Sequence, residues 1–161
     1  EKAVQAEIDR LMNIKGKRSV DSIHKELGHV MWEYVGMGRT AEGLKTGLEK
    51  IKKIRKEFET NLFIPGSKEG LNTELDKAIH LRDFITMGEL IAYDALNREE
   101  SCGGHFREEY QTEEGEAKRD DENFFYVACW EYQGSDDKAP VLYKEPLVYE
   151  AIKVQTRNYK S

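Results

Sequence analysis

Cysteine and proline are scarce in this chain of 161 residues, at two and three copies. Cys102 and Cys129 make no disulfide framework, which excludes the small stapled secreted scaffolds and fits a reducing cytoplasm. No apolar run approaches the roughly 20 residues needed to cross a bilayer, and no basic-then-apolar leader opens the chain. An excess of positive charge is missing too: 25 lysines and arginines face 31 aspartates and glutamates, for a formal net charge of -6. No field of the sign that recruits nucleic acid or an anionic membrane surface exists, so nucleic acid is not expected as a partner. Methionine does not open the chain, and Glu1 leads into a helical pattern without a capping residue. The expectation is a piece of a longer polypeptide.

What is present is helical periodicity. Val4, Ile8, Leu11 and Met12 fall at helical spacing until Lys15-Gly16-Lys17 stops them, and residues 1–18 read as the tail of a preceding domain or a linker helix. Ser19 and Asp21 begin a second helix with the stripe Ile23, Leu27, Val30, Met31 and Tyr34, ended by Gly36 and Gly38. Thr40 caps a third, with Glu42 in its first turn and Leu44, Leu48, Ile51, Phe58 and Leu62 along one side. Lys45, Lys50, Lys52, Lys53, Arg55 and Lys56 concentrate on this helix, but Glu49, Glu57 and Glu59 interrupt them, so the face reads as solvated rather than phosphate-binding.

Pro65-Gly66-Ser67 breaks the chain before Asn72 caps a fourth helix running to about Glu100. Ala78, Leu81, Ile85, Gly88, Ala92 and Ala95 supply one apolar face of it, and Phe84, Met87 and Ile91 a second. Two such faces predict a central helix buried on both sides, and its small residues predict close helix contacts. Residues 19–161 are therefore expected to form a mainly α domain: an antiparallel three-helix bundle of the spectrin-repeat kind with a C-terminal β-hairpin.

The hairpin follows from the aromatic and β-branched run Phe124 to Tyr132, a turn at Gly134-Ser135-Asp136-Asp137, and Val141-Leu142-Tyr143. Its aromatic face of Phe124, Tyr126, Trp130 and Tyr132 needs a surface to cover it, because an isolated hairpin is marginal in water. Pro146 confines any following strand to an edge, and Lys160-Ser161 is expected to fray.

Between helix and hairpin lies the densest polar segment, Glu100-Ser101-Cys102-Gly103-Gly104-His105-Phe106-Arg107, with Arg119-Asp120-Asp121-Glu122-Asn123 downstream. A glycine pair after a helix lets the chain reverse, and the flanking imidazole, guanidinium and carboxylates suit a docking loop. Cys102 and His105 have the spacing of half a zinc site, but only Cys129 and His80 remain as loose candidates for the rest. A thiolate–imidazole pair at the same residues lacks a recognisable orienting group. Asp120 and Asp121 are adjacent, so their side chains diverge and ion pairing suits them better than acid–base work. His24, His29 and His80 lie on helices without metal spacing. Gly36-Met37-Gly38-Arg39-Thr40-Ala41 matches the dinucleotide fingerprint in letters, yet the segment before it keeps a helical period where a strand is required, so a helix junction is the reading.

Three motifs in order resemble one family. Val35-Gly36 through Arg39-Thr40-Ala41-Glu42-Gly43-Leu44, Asn72-Thr73-Glu74-Leu75, and the segment from Glu100 to His105 with Arg119-Asp120-Asp121 are similar to the C-terminal helical domain of the flavoprotein subunit of succinate dehydrogenase and fumarate reductase. The resemblance covers the chain from Ser19 onward. Cys102 stands where many members have arginine, and Gly104 where they have alanine, so no role of that arginine is carried over.

The resemblance implies a parent several times longer, with FAD in an upstream Rossmann-type domain, a capping domain closing on the dicarboxylate, and succinate–fumarate interconversion. Electrons would pass to an iron–sulfur subunit and a membrane anchor subunit, placing the assembly on the cytoplasmic face of the inner membrane. Catalytic, cofactor-binding and metal residues are expected upstream and not here. For this chain the expectation is a structural role, with His105, Arg107, Arg119, Asp120 and Asp121 docking against the flavin domain. L-aspartate oxidase, which has a similar bundle, a non-enzymatic helical interaction module and a nucleotide-binding domain are the alternatives.

Overall fold

The computed structural model describes residues 1–134 and 138–155. The chain divides into two compact units, Glu1–Asn97 and Arg98–Ser161. In the first, α1 (Lys2–Asn13) is followed by β1 (Arg18–Ser19), α2 (Val20–Val35), β2 (Gly38–Arg39), α3 (Ala41–Asn61), β3 (Leu62–Phe63) and α4 (Thr73–Asn97). Each bundle helix starts at its expected cap. The Ser19 hydroxyl accepts from Ser22 N–H at 3.3 Å, Thr40 accepts from Gly43 N–H at 3.0 Å, and the Asn72 side-chain oxygen accepts from Glu74 and Leu75 N–H at 3.1 Å. Each cap satisfies a donor that the helix leaves open, worth about 1 kcal/mol.

The apolar stripes then meet. Ile23, Leu27, Leu44, Ile51, Ile54, Phe58, Leu81 and Ile85 form one buried core. Arg18 lies beside Glu57 and a Cβ at Gly47 would touch Tyr34, so α3 runs antiparallel to α2. Asp21 pairs with Lys77 and Met31 packs on Gly88, so α4 runs back parallel to α2. This is the expected antiparallel three-helix bundle. Arg55 on α3 donates to Glu89 on α4 at 2.7 Å. The first helix joins the same unit: Leu11 is fully buried, with Ile8 and Met12 packed against the core.

Gly88 shows why small residues line α4. A Cβ there would sit 3.1 Å from Met31 Sδ and 3.6 Å from a Leu27 methyl. Gly88→Leu must overpack this contact and is expected to lose about 1–3 kcal/mol in urea unfolding; an unchanged midpoint would show that α2 and α4 yield freely.

Three sequence expectations are corrected. Only one face of α4 is buried: Phe84, Met87 and Ile91 stay 48%, 52% and 43% exposed, because α2 and α3 cover the face that runs from Ala78 to Ala95 and this stripe is met only at its edge, where His24 stacks on Phe84. The helix stops at Asn97 rather than Glu100. Phe124 belongs to no strand; it ends the short helix α5 of the second unit.

The second unit contains β4 (Phe106–Arg107), α5 (Asp121–Phe124), β5 (Tyr126–Glu131) and β6 (Val141–Pro146). The last two strands pair antiparallel, Tyr126 opposite Pro146 and Glu131 opposite Val141, which is the expected hairpin with proline at its end. Tyr126 gains its cover within the unit, since Arg98 and Lys144 lie 5.2 and 4.4 Å from its ring centroid. Across the strands Tyr143 donates to Glu131 at 3.0 Å, and that bond holds the phenol's pKa above its ordinary value. The expected turn residues Ser135, Asp136 and Asp137, and the expected frayed end Lys160-Ser161, lie outside the described residues.

Candidate functional site

The polar segment of the second unit is built on a two-residue hairpin. Cys102 N–H donates to the His105 carbonyl at 2.8 Å, and His105 N–H returns a bond to Cys102 at 3.0 Å. Gly103 takes the left-handed φ of 59° that the first central position of such a turn requires. Gly104 does not, and a Cβ there would meet nothing within 4 Å. Alanine therefore fits position 104. Gly104→Ala is expected to stabilise by about 0.4–1 kcal/mol through the unfolded chain, whereas a lowered thermal midpoint would show that the loop needs both glycines.

Behind the turn, the fully buried Ser101 brackets the backbone of Arg107. Its hydroxyl accepts from Arg107 N–H at 2.8 Å and donates to the Arg107 carbonyl at 3.1 Å, while Ser101 N–H reaches the Lys118 carbonyl at 2.9 Å. Glu100, also buried, ties two distant pieces together. One carboxylate oxygen accepts from Arg98 at 2.7 Å and the other from Asp120 N–H at 2.9 Å. Arg98 continues outward, donating to the Phe124 and Tyr126 carbonyls at 3.1 and 3.0 Å. One acid thereby locks the turn, the Arg119–Asp121 segment and the start of the hairpin.

The five residues singled out for docking gather around this clamp. The His105 Nε2 donates to the Arg98 carbonyl at 2.9 Å. Arg107 is buried, with its Nε donating to Glu109 at 3.1 Å and its guanidinium 5.4 Å from the Tyr110 ring centroid. Arg119 donates to Asp121 at 3.0 Å and to the Gln155 carbonyl at 3.3 Å, and the carboxylate raises its pKa above the usual range. Asp120 is the N-cap of α5, accepting from Asn123 N–H at 3.2 Å. The ion-pair reading thus holds for Asp121, while Asp120 is a cap.

Sequence reasoning does not single out Arg98, or the bridging role of Glu100. The motif itself was the available signal: an acid beside a buried serine directly before a reversing turn needs donors, and two are present. Cys102 and His105 meet through backbone atoms, and one imidazole nitrogen is committed to Arg98. Among the described residues no group of three or more His, Cys, Asp or Glu is arranged to hold a metal ion. The fingerprint-like stretch from Gly36 to Ala41 joins α2 to α3, with a helix where nucleotide binding needs a strand. The arrangement is a hydrogen-bonded scaffold.

A three-helix bundle continued by a clamped turn and a hairpin defines a helical domain with a polar extension. Residues 24–159 match the family described as fumarate reductase flavoprotein C-term, and the chain belongs to that family. The fumarate reductase flavoprotein subunit of Proteus vulgaris is 32% identical over 121 residues, covering 75% of this chain and 19% of its own length. L-aspartate oxidase 2-b of Nicotiana tabacum is 34% identical over 88 residues, covering 55% of this chain and 13% of its own length. The solved FrdA chain of Escherichia coli quinol fumarate reductase superposes with a TM-score of 0.79 at 25% identity, covering 96% of this chain and 25% of that one. The likeness to fumarate reductase extends over more of the chain than the likeness to aspartate oxidase. This chain spans about a fifth of the length of its fumarate reductase relative, 19%.

Proposed function

We propose that this chain is the C-terminal helical domain of an FAD-dependent flavoprotein that interconverts succinate and fumarate. Electrons would pass to an iron–sulfur subunit and, through a membrane anchor subunit, to quinone, with the assembly peripheral on the cytoplasmic face of the inner membrane. The observation that carries this reading is the family match across residues 24–159, supported by a fumarate reductase flavoprotein at 32% identity. The flavin, held by the preceding part of the polypeptide, supplies the hydride chemistry. The glycine stretch from Gly36 to Ala41 lies between two helices, which is not the strand-to-helix context in which such a stretch cradles a dinucleotide. The part played here is structural: a bundle that folds around its own core, and a clamped polar loop in the second unit. No described helix is long and apolar enough to cross a membrane; on this reading the anchor subunit attaches the assembly.

His105, Arg119, Asp120 and Asp121 are proposed to dock against the flavin domain, because they gather around one turn and mix both charge signs; Arg107, expected in the same surface, is 2% exposed and braces the turn from within. Arg119→Ala in the full-length enzyme is then expected to cost about 3–5 kcal/mol, through the carboxylate left unpaired in the closed interface, and to release flavin on gel filtration. A stable holoenzyme with weaker substrate affinity alone would refute the docking role. The function is tested on the full-length polypeptide by flavin absorbance and succinate-dependent dye reduction in one sample. Reduction by aspartate but not succinate would move the chain to the aspartate oxidases, and a flavin-free protein would make it an interaction module.

A further inference from the structure

We draw no further inference here: the strongest candidate, the stripe of Lys45, Lys52, Lys53 and Lys56 along the exposed flank of α3, is shared with the exposed Glu42 and Glu49, and nothing in the structure shows what covers it.

Discussion

Glu100→Ala is expected to destabilise the second unit by about 3–5 kcal/mol, the largest effect of any side-chain truncation in the polar segment. The reason is the position of the carboxylate. It is buried and accepts from the Arg98 guanidinium at 2.7 Å and from Asp120 N–H at 2.9 Å. Removing it leaves a largely buried cation facing two carbonyls and a backbone donor without its acceptor, and the loss of one member of such a pair costs more than the intact pair contributes. Glu100→Gln keeps an acceptor oxygen and the shape, so it should fall between alanine and the unsubstituted protein. Urea unfolding followed by near-ultraviolet circular dichroism, which reads the aromatic hairpin, is the measurement. A loss below 1 kcal/mol for alanine would mean that the Ser101 and Arg107 bonds hold the turn by themselves.

Gly16→Ala is expected to be as severe for the first unit, at roughly 3 kcal/mol or more. The cause is contact, since Gly16 has no positive φ. Its N–H donates to the Leu62 carbonyl at 3.0 Å and the next N–H to the Asn61 carbonyl at 2.9 Å, drawing the two backbones together. A methyl on Gly16 would lie 1.9 Å from the Asn61 carbonyl carbon. No rotamer relieves a collision with backbone, so the segment carrying α1 must peel away from the end of α3 and expose Leu11 and Leu62, both fully buried now. Gly28→Ala supplies the control, being expected to leave the bundle unchanged or slightly more stable, since a Cβ there would meet nothing within 4 Å. Equal midpoints for Gly16→Ala and the unsubstituted chain would show that β1 and β3 are dispensable pairings.

These two positions differ in how far they can be read without coordinates. Glycine at 16 is legible as part of a helix stop, but α1 already ends at Asn13 with Ile14 as its C-cap, and what forbids a side chain at 16 is the backbone of Asn61. Glu100 is legible as part of a motif, yet its bond to Asp120 N–H crosses 20 residues. The caps at Ser19, Thr40 and Asn72 were legible in full, because a cap is a contact over two or three residues with one residue type favoured for one bond. The hairpin was legible as composition, but its first residues were not: Asp120 caps a short helix that takes Phe124 out of the strand. The second face of α4 was misread for a different reason. Periodicity tells which residues seek burial and says nothing about how many neighbours a given stretch of chain supplies.

The sequence by itself determined the helices, their caps, the breaks between them, the hairpin composition, the absence of a membrane-spanning run, and the family to which the motifs belong. Tertiary structure alone decided which glycines are irreplaceable, which acid clamps the polar turn, and which apolar stripe stays open. The physical reason is range. Propensity, capping and periodicity act within about a turn of the chain, whereas the bonds of Asp120 to Glu100, Arg55 to Glu89 and Lys17 to Asn61 join residues 20, 34 and 44 apart. Such contacts form only when separate helices have already packed, so the packing, and not the local code, chooses them.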